Sequence, residues 1–370
     1  MRSRRVRSGA CWPDDRQRLL LGAATWGDDR ALDAWARWRA LVAREEVTAA
    51  DTRLLATAFR PLRALGADDP MLTLAGGAYR RAWYLNNLAL RRAAAVVDTL
   101  QSVGIEVLVL KGAALSLLHY GDLGARPMDD IDLLVRPSEL HHAVDVLRPH
   151  GWAELQTQGA TTGPLRYGTH VVDAEDNEID LHAYALMQSA DDTDLWAARV
   201  ELELMGTTTS AAAAADQLVH VCTHGLRWDV TPTVRWAADA MTIIRSSDER
   251  LDWARVVQCS RAWRVTAATS TALSWLRGAL EAPVPEWVLA DLKAGPRLPF
   301  ERAINAVWTR PPTPLGFAVM SFDRYRRFAR LAPAETRPRS FPAYLRNAWE
   351  LESSGQLLLH GGRKLAGRTR

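Results

Sequence analysis

The 370 residues, 48% hydrophobic and 24% charged, suffice for two or three compact modules with apolar cores, which excludes wholesale disorder. A net charge of +3 provides no basic field for general nucleic-acid binding. No uninterrupted run of about 18 apolar residues offers a membrane-spanning helix. Cys11, Cys222 and Cys259 lie far apart without paired spacing. They fit a reducing compartment and read as small apolar fillers, not as a zinc site. The basic N-terminus carries only a short apolar run, Leu19 to Ala24, behind Asp14 and Asp15, so it does not read as a signal peptide. A cytoplasmic protein is expected.

In chain order, residues 1–103 read as helical, with apolar residues recurring at three- and four-residue spacing over 31–44, 48–65 and 71–100. Asn86 and Asn87 interrupt the apolar face of the last stretch. The pattern changes at Gly104. Ile105 to Leu110 reads as a strand ending at Lys111-Gly112, where an apolar helical pattern, residues 113–120, begins at once. A polar loop with Gly121, Gly124 and Pro127 leads to a second strand over 130–135. Strand side chains alternate, so Asp130 and Asp132 share one face while Asp129 goes with Ile131 to the other. Pro137 and Ser138 open a helix with Ser138 as its N-cap, and Gly151 ends it. Residues 152–155 read as a short strand. Residues 167–172 then face 178–182 across the polar turn 173–177, as a hairpin with a longer loop. Residues 185–370 return to helix, most clearly over 211–224, 234–244, 253–259 and 267–280, and 361–370 form a basic tail. The expected class is α+β: a small mixed sheet in 104–190, flanked by a helical N-terminal region (1–103), a helical C-terminal domain (191–310) and a helical extension with the basic tail (311–370).

Two carboxylates on one face repel each other unless a cation sits between them. Magnesium suits such a place, since it takes one or two carboxylates with phosphate oxygens and waters. Asp180, between Ile179 and Leu181, is expensive to bury unpaired. With Asp130 and Asp132 it would form a platform for two magnesium ions, which activate an attacking oxygen and neutralise charge on a transferred phosphoryl group. Asp180 would then support the attacking hydroxyl as metal ligand or general base. Gly112 lets backbone approach a phosphate, and the helix after it offers unpaired N–H groups. Lys111 and Arg126 are the nearest cations for a triphosphate, and Arg126 suits bidentate contact. His182 shares the face of Asp180, on the acceptor side. His220 and His224, four apart on a helix without the glutamate of a metalloprotease between them, read as packing or cleft lining. The tryptophans read as core, and Asp239 as the partner of an arginine in its own helical region.

LKGAAL at 110–115, Arg126, DIDLLV at 130–135 and EIDLH at 178–182 together resemble the uncharacterised nucleotidyltransferase family of the polymerase-β-like superfamily. The superfamily pattern is a glycine turn opening a helix, a D-x-D pair on the next strand and a third acid on a later one; here these fall at Gly112, at Asp130 and Asp132, and at Asp180. Many members carry Gly-Ser after the first strand. This chain has Gly112-Ala113, which leaves phosphate to backbone N–H groups and Lys111. The resemblance implies transfer of a nucleoside monophosphate from a triphosphate such as ATP, with magnesium or manganese, to an acceptor the family does not fix: a small molecule, a peptide or a protein. Toxin-like transfer to transfer RNA is an alternative that the near-neutral charge disfavours. A D-x-D glycosyltransferase would want several alternating strands and helices before its acids. A non-catalytic nucleotide-binding scaffold would not need all three acids.

Overall fold

The computed structural model describes residues 11–155, 167–186, 189, 191–228, 234–247, 250–294, 299–311, 313–331, 337–348, 351, 353, 355 and 356; the basic tail read at 361–370 lies outside them. Four helices come first: α1 (Asp15–Thr25), α2 (Asp29–Leu41), α3 (Ala49–Ala64) and α4 (Pro70–Ser102). Asp14, Asp28, Thr48 and Asp69 cap them by accepting from first-turn N–H groups. Helix α1 lies where the sequence suggested only a short apolar run. Its start is set by a reciprocal capping box between Asp14 and Gln17.

Seven described strands form one mixed sheet: β1 (Leu108–Val109), β2 (Ile131–Leu134), β3 (Ala153–Glu154), β4 (Gly168–Val172), β5 (Glu178–His182), β6 (Val200–Leu204) and β7 (Thr207–Ala211). Their order is β3-β4-β5-β2-β1-β7-β6. The β2–β5 and β1–β7 pairs are parallel and the others antiparallel. The hairpin read at 167–182 is β4–β5.

Two expectations are corrected. Residues 200–211, read as helix, form the β6–β7 hairpin, because Met205 and Gly206 both take positive φ, 53° and 101°, the geometry of a tight two-residue turn. Ser138 does not cap its helix. The amide of Glu139 donates to the Arg136 carbonyl at 2.8 Å, and this turn delays the helix, α6 (Leu140–Leu147), until after Glu139.

Between the strands lie α5 (Lys111–Leu115), which continues into one π-type turn at Ser116–Tyr120, and α7 (Thr193–Ala197). After the sheet come α8 (Ala214–Gly225), α9 (Arg235–Ser247), α10 (Trp253–Ala262), α11 (Thr266–Ala279), α12 (Glu286–Ala294) and α13 (Pro299–Trp308). Alternation along the strands divides the core into two layers. Leu108, Leu110 and Leu134 join an apolar cluster built from α1, α2 and α3 together with α8 to α12. Val109, Ile131, Leu133, Ile179 and Leu181 face the second half of α4 and α6. The N-terminal and C-terminal helical regions, remote in sequence, thus share one core on one face of the sheet. Asp132, two residues before Leu134, is on that face. The cysteines are free and buried. Among the described residues no helix is long and apolar enough to cross a membrane.

Candidate active site

The site begins where β1 ends. Lys111 turns the chain with φ 43°, a backbone state uncommon for a residue with a side chain and one that sends the following residues directly into α5. Its ammonium pairs with Asp132 Oδ1. Gly112 is buried beneath Arg126 and Met128; a Cβ there would overlap the Arg126 guanidinium and sit 2.9 Å from Met128 Cγ. Gly112→Ala is therefore expected to lower stability by about 1–3 kcal/mol, the usual range for overpacking a filled site. Denaturant unfolding checks this, and an unchanged midpoint would show that the turn has slack. Ala113, the residue after that glycine, is 1% exposed and packs in the layer shared with α4.

Parallel pairing sets Asp132 beside Asp180 in register. Asp132 is 2% exposed, and His182 Nε2 lies 2.7 Å from its Oδ1. Burial opposes the charge on Asp132, but the His182 hydrogen bond and the Lys111 ammonium outweigh it and hold the carboxyl well below the usual range. Asp180 also contacts His170, its partner in the β4–β5 register, and His170 Nδ1 lies 2.6 Å from Glu178 Oε1. Asp130 precedes β2 and stands exposed at the rim. The carboxyls of Asp180 and Asp130 are both pushed up, first by the protein packed around them and then by the charge of Asp132.

The ligand atoms of Asp132, Asp180 and His182 all lie within 4.8 Å of one another, as do those of His170, Glu178 and Asp180. Asp130 belongs to neither group. It borders two adjoining cavities that meet at Lys111, Asp130 and His224. The smaller, about 200 Å³, holds Gly112, Asp132, Arg126, Arg53 and Arg235; the larger, about 300 Å³, holds Asp180, His182 and His170.

Arg126 is in the expected place with a different partner. The bidentate contact read as phosphate binding is made to Asp239 of α9, Nε to Oδ1 at 2.8 Å and Nη2 to Oδ2 at 3.0 Å. Tyr120 donates to the same carboxylate at 2.9 Å. Asp239 therefore pairs with an arginine of the sheet region, not of its own helical region, because α9 packs against the π-type turn at Ser116–Tyr120. One turn earlier on α9, Arg235 donates to the Pro127 carbonyl at 2.5 Å. From the other side Asn86 donates to the carbonyls of Leu123 and Arg126 at 2.6 and 2.8 Å and accepts from Met128 N at 3.2 Å. The loop into Asp130 is thus held from both helical regions. Asn87 only bonds back to Trp83 O of its own helix, and Asp129 turns away to Arg53.

His220 is buried, with Nε2 donating to Ala185 O at 2.9 Å. His224 opens on both cavities. Neither belongs to a three-ligand group among the described residues. The sequence reading overlooked His170, Arg227 and Arg235. Only His170 had a usable signal, since counting back from the 173–177 turn sets it opposite Asp180.

A family model described as an uncharacterised nucleotidyltransferase matches residues 37–278. No curated protein matches the chain. Among solved structures, the antibiotic-resistance factor ANT(2'')-Ia is 14% identical, with 51% of this chain and 98% of that one covered and a TM-score of 0.35. An antigenic nucleotidyltransferase-like protein from Paracoccidioides brasiliensis is 16% identical, with 57% and 94% covered and a TM-score of 0.33.

Proposed function

The chain belongs to the uncharacterised nucleotidyltransferase family, and from this premise we propose a magnesium-dependent enzyme that moves a nucleoside monophosphate from a triphosphate, ATP among the candidates, to a hydroxyl of a small-molecule, peptide or protein acceptor. The observation that most supports this reading is the pairing of Asp132 with Asp180 on adjacent parallel strands, next to the Lys111-Gly112 turn.

The donor set fits a divalent cation. Two carboxylates and an imidazole lie within 4.8 Å of one another, and Asp130 adds a carboxylate at the rim. Imidazole is a softer ligand than magnesium prefers, so His182 makes manganese a second candidate. Bound there, the ion would neutralise charge developing on the transferred phosphoryl group. Lys111, once released from Asp132, reaches the phosphates as a point charge. Gly112, with no side chain, lets the Arg126 guanidinium lie against the turn beside them. The acceptor oxygen bonds to the α-phosphorus, and the bond from that phosphorus to the α–β bridging oxygen breaks with its electron pair leaving on pyrophosphate. The hydroxyl proton passes to the Asp180 carboxylate. The free, buried cysteines agree with a cytoplasmic setting.

The pH dependence of the magnesium effect tests the reading. A carboxyl raised on folding contributes stability that is complete below its unfolded pKa and is lost as pH rises through the folded one. Asp130 and Asp180 are of this kind, so at neutral pH they are ionised at a cost that a divalent cation relieves. Magnesium with a triphosphate should raise the melting temperature at pH 7, and the rise should fade as pH drops through the range just above the ordinary carboxylate value. A rise seen only with sugar nucleotides would favour glycosyl transfer; a rise with triphosphate but no pyrophosphate release would favour the nucleotide-binding scaffold, and no rise with either would overturn nucleotide binding.

A further inference from the structure

The larger cavity carries a charge pattern of its own. Its two carboxylates, Asp130 and Asp180, are both assigned to the cation and the proton in the reading above, on which this inference rests. Once they are set aside, the remaining charged side chains on the walls are Lys111, already paired with Asp132, and Arg227. Arg227 is exposed and lies 5.9 Å over the ring of Trp308. It has no carboxylate partner among the described residues. On the same walls, among the described residues, Thr223 Oγ1 and Trp308 Nε1 are buried atoms without a hydrogen-bond partner, and Thr223 is only 9% exposed. Buried donors left unpaired in a native protein call for an explanation, and here both line a cavity whose free charge is a guanidinium.

We propose that this cavity is the acceptor site and that it takes a small hydroxyl compound carrying an anionic group, carboxylate or phosphate, held by Arg227 while its hydroxyl faces Asp180. The volume, about 300 Å³, lies at the lower end of small-molecule pockets. Arg227 offers the planar fork that matches such anions, beside the ring of Trp308. A cationic acceptor, such as a polyamine or an amino sugar, would meet an uncompensated arginine. An anionic acceptor gives that arginine a partner.

The matched pair of glycerol and glycerol 3-phosphate isolates the anion. With the full chain, magnesium and saturating α,β-methylene ATP to fill the triphosphate side, glycerol 3-phosphate should raise the melting temperature while glycerol and spermidine leave it unchanged. Arg227→Leu should weaken the glycerol 3-phosphate response about tenfold to a hundredfold, the weight of a hydrogen bond to a charged group, with the response to α,β-methylene ATP intact. Arg227→Lys should retain part of it. An equal response from Arg227→Leu, a response to spermidine, or none to glycerol 3-phosphate would overturn the assignment. Failure of the nucleotidyl reading would appear elsewhere, as a missing response to α,β-methylene ATP in the unaltered protein.

Discussion

Replacing Asp239 with alanine is expected to lower stability by about 3–5 kcal/mol, the penalty for leaving a buried charge without its partner. Asp239 is 4% and Arg126 6% exposed, and both oxygens of the carboxylate are engaged by the guanidinium. Without Asp239 the positive charge of Arg126 stays in the interior beside Arg235, itself already lowered to about 10 by burial and then by Arg126. The effect should reach the site as well. An added Cβ at Gly112 would meet Arg126 Nη1, so any displacement of that guanidinium disturbs the packing over the Gly112 turn. Urea unfolding followed by tryptophan fluorescence measures the loss. The double variant Arg126→Ala, Asp239→Ala should be less damaged than the sum of the two single ones, because it leaves no orphaned charge. A single Asp239→Ala variant within about 0.5 kcal/mol of the unaltered protein, the scale of an ordinary surface change, would show that water reaches Arg126.

This pair also marks where the sequence stops being legible. Lys111-Gly112, the D-x-D pair and EIDLH could be found because each depends on local alternation or on a short turn, and the structure puts all three at one end of the sheet. Asp239 and Arg126 are 113 residues apart, and nothing in the periodicity of α9 indicates that it packs against the turn at Ser116–Tyr120. The common core of the N-terminal and C-terminal helices was hidden for the same reason, since an amphipathic pattern reveals that a face is buried but not against what. The β6–β7 hairpin is a different case. Val200, Leu202 and Leu204 alternate with Glu201 and Glu203 ahead of Met205-Gly206, a readable strand signal. The helix-forming glutamates, leucines and alanines of 200–215 pulled the reading the other way, and pairing of β7 with β1 overrode that propensity. Ile105 to Leu110 reads as a full strand, yet β1 is only Leu108–Val109; Leu110 adds one more rung, its amide donating to Asp132 O at 2.9 Å, before Lys111 turns the chain into α5.

Asp132 and Asp180 should respond in the same direction in catalysis and in opposite directions in stability. Asp132→Asn keeps the shape of the side chain and removes its charge. Pyrophosphate release from ATP with magnesium should fall about 10²–10³-fold, the scale on which a single preorganised electrostatic partner is felt, and Asp180→Asn should fall comparably. For stability the signs part. The Asp132 carboxyl is held low on folding, so its contribution is present above the unfolded pKa and is lost only as pH falls through the folded one. At pH 7 the asparagine forfeits it and leaves Lys111 without a counter-charge. Asp180 is raised by its surroundings and then by Asp132, so in the metal-free protein at pH 7 its ionised form opposes folding. Asp180→Asn relieves that opposition. Metal-free Asp132→Asn should therefore melt below the unaltered protein and Asp180→Asn at or above it, although both should be slowed alike in pyrophosphate release. The reverse order of melting would mean that His170, in contact with Asp180, dominates its energetics. A wild-type rate from Asp132→Asn would remove the central carboxylate from the reaction.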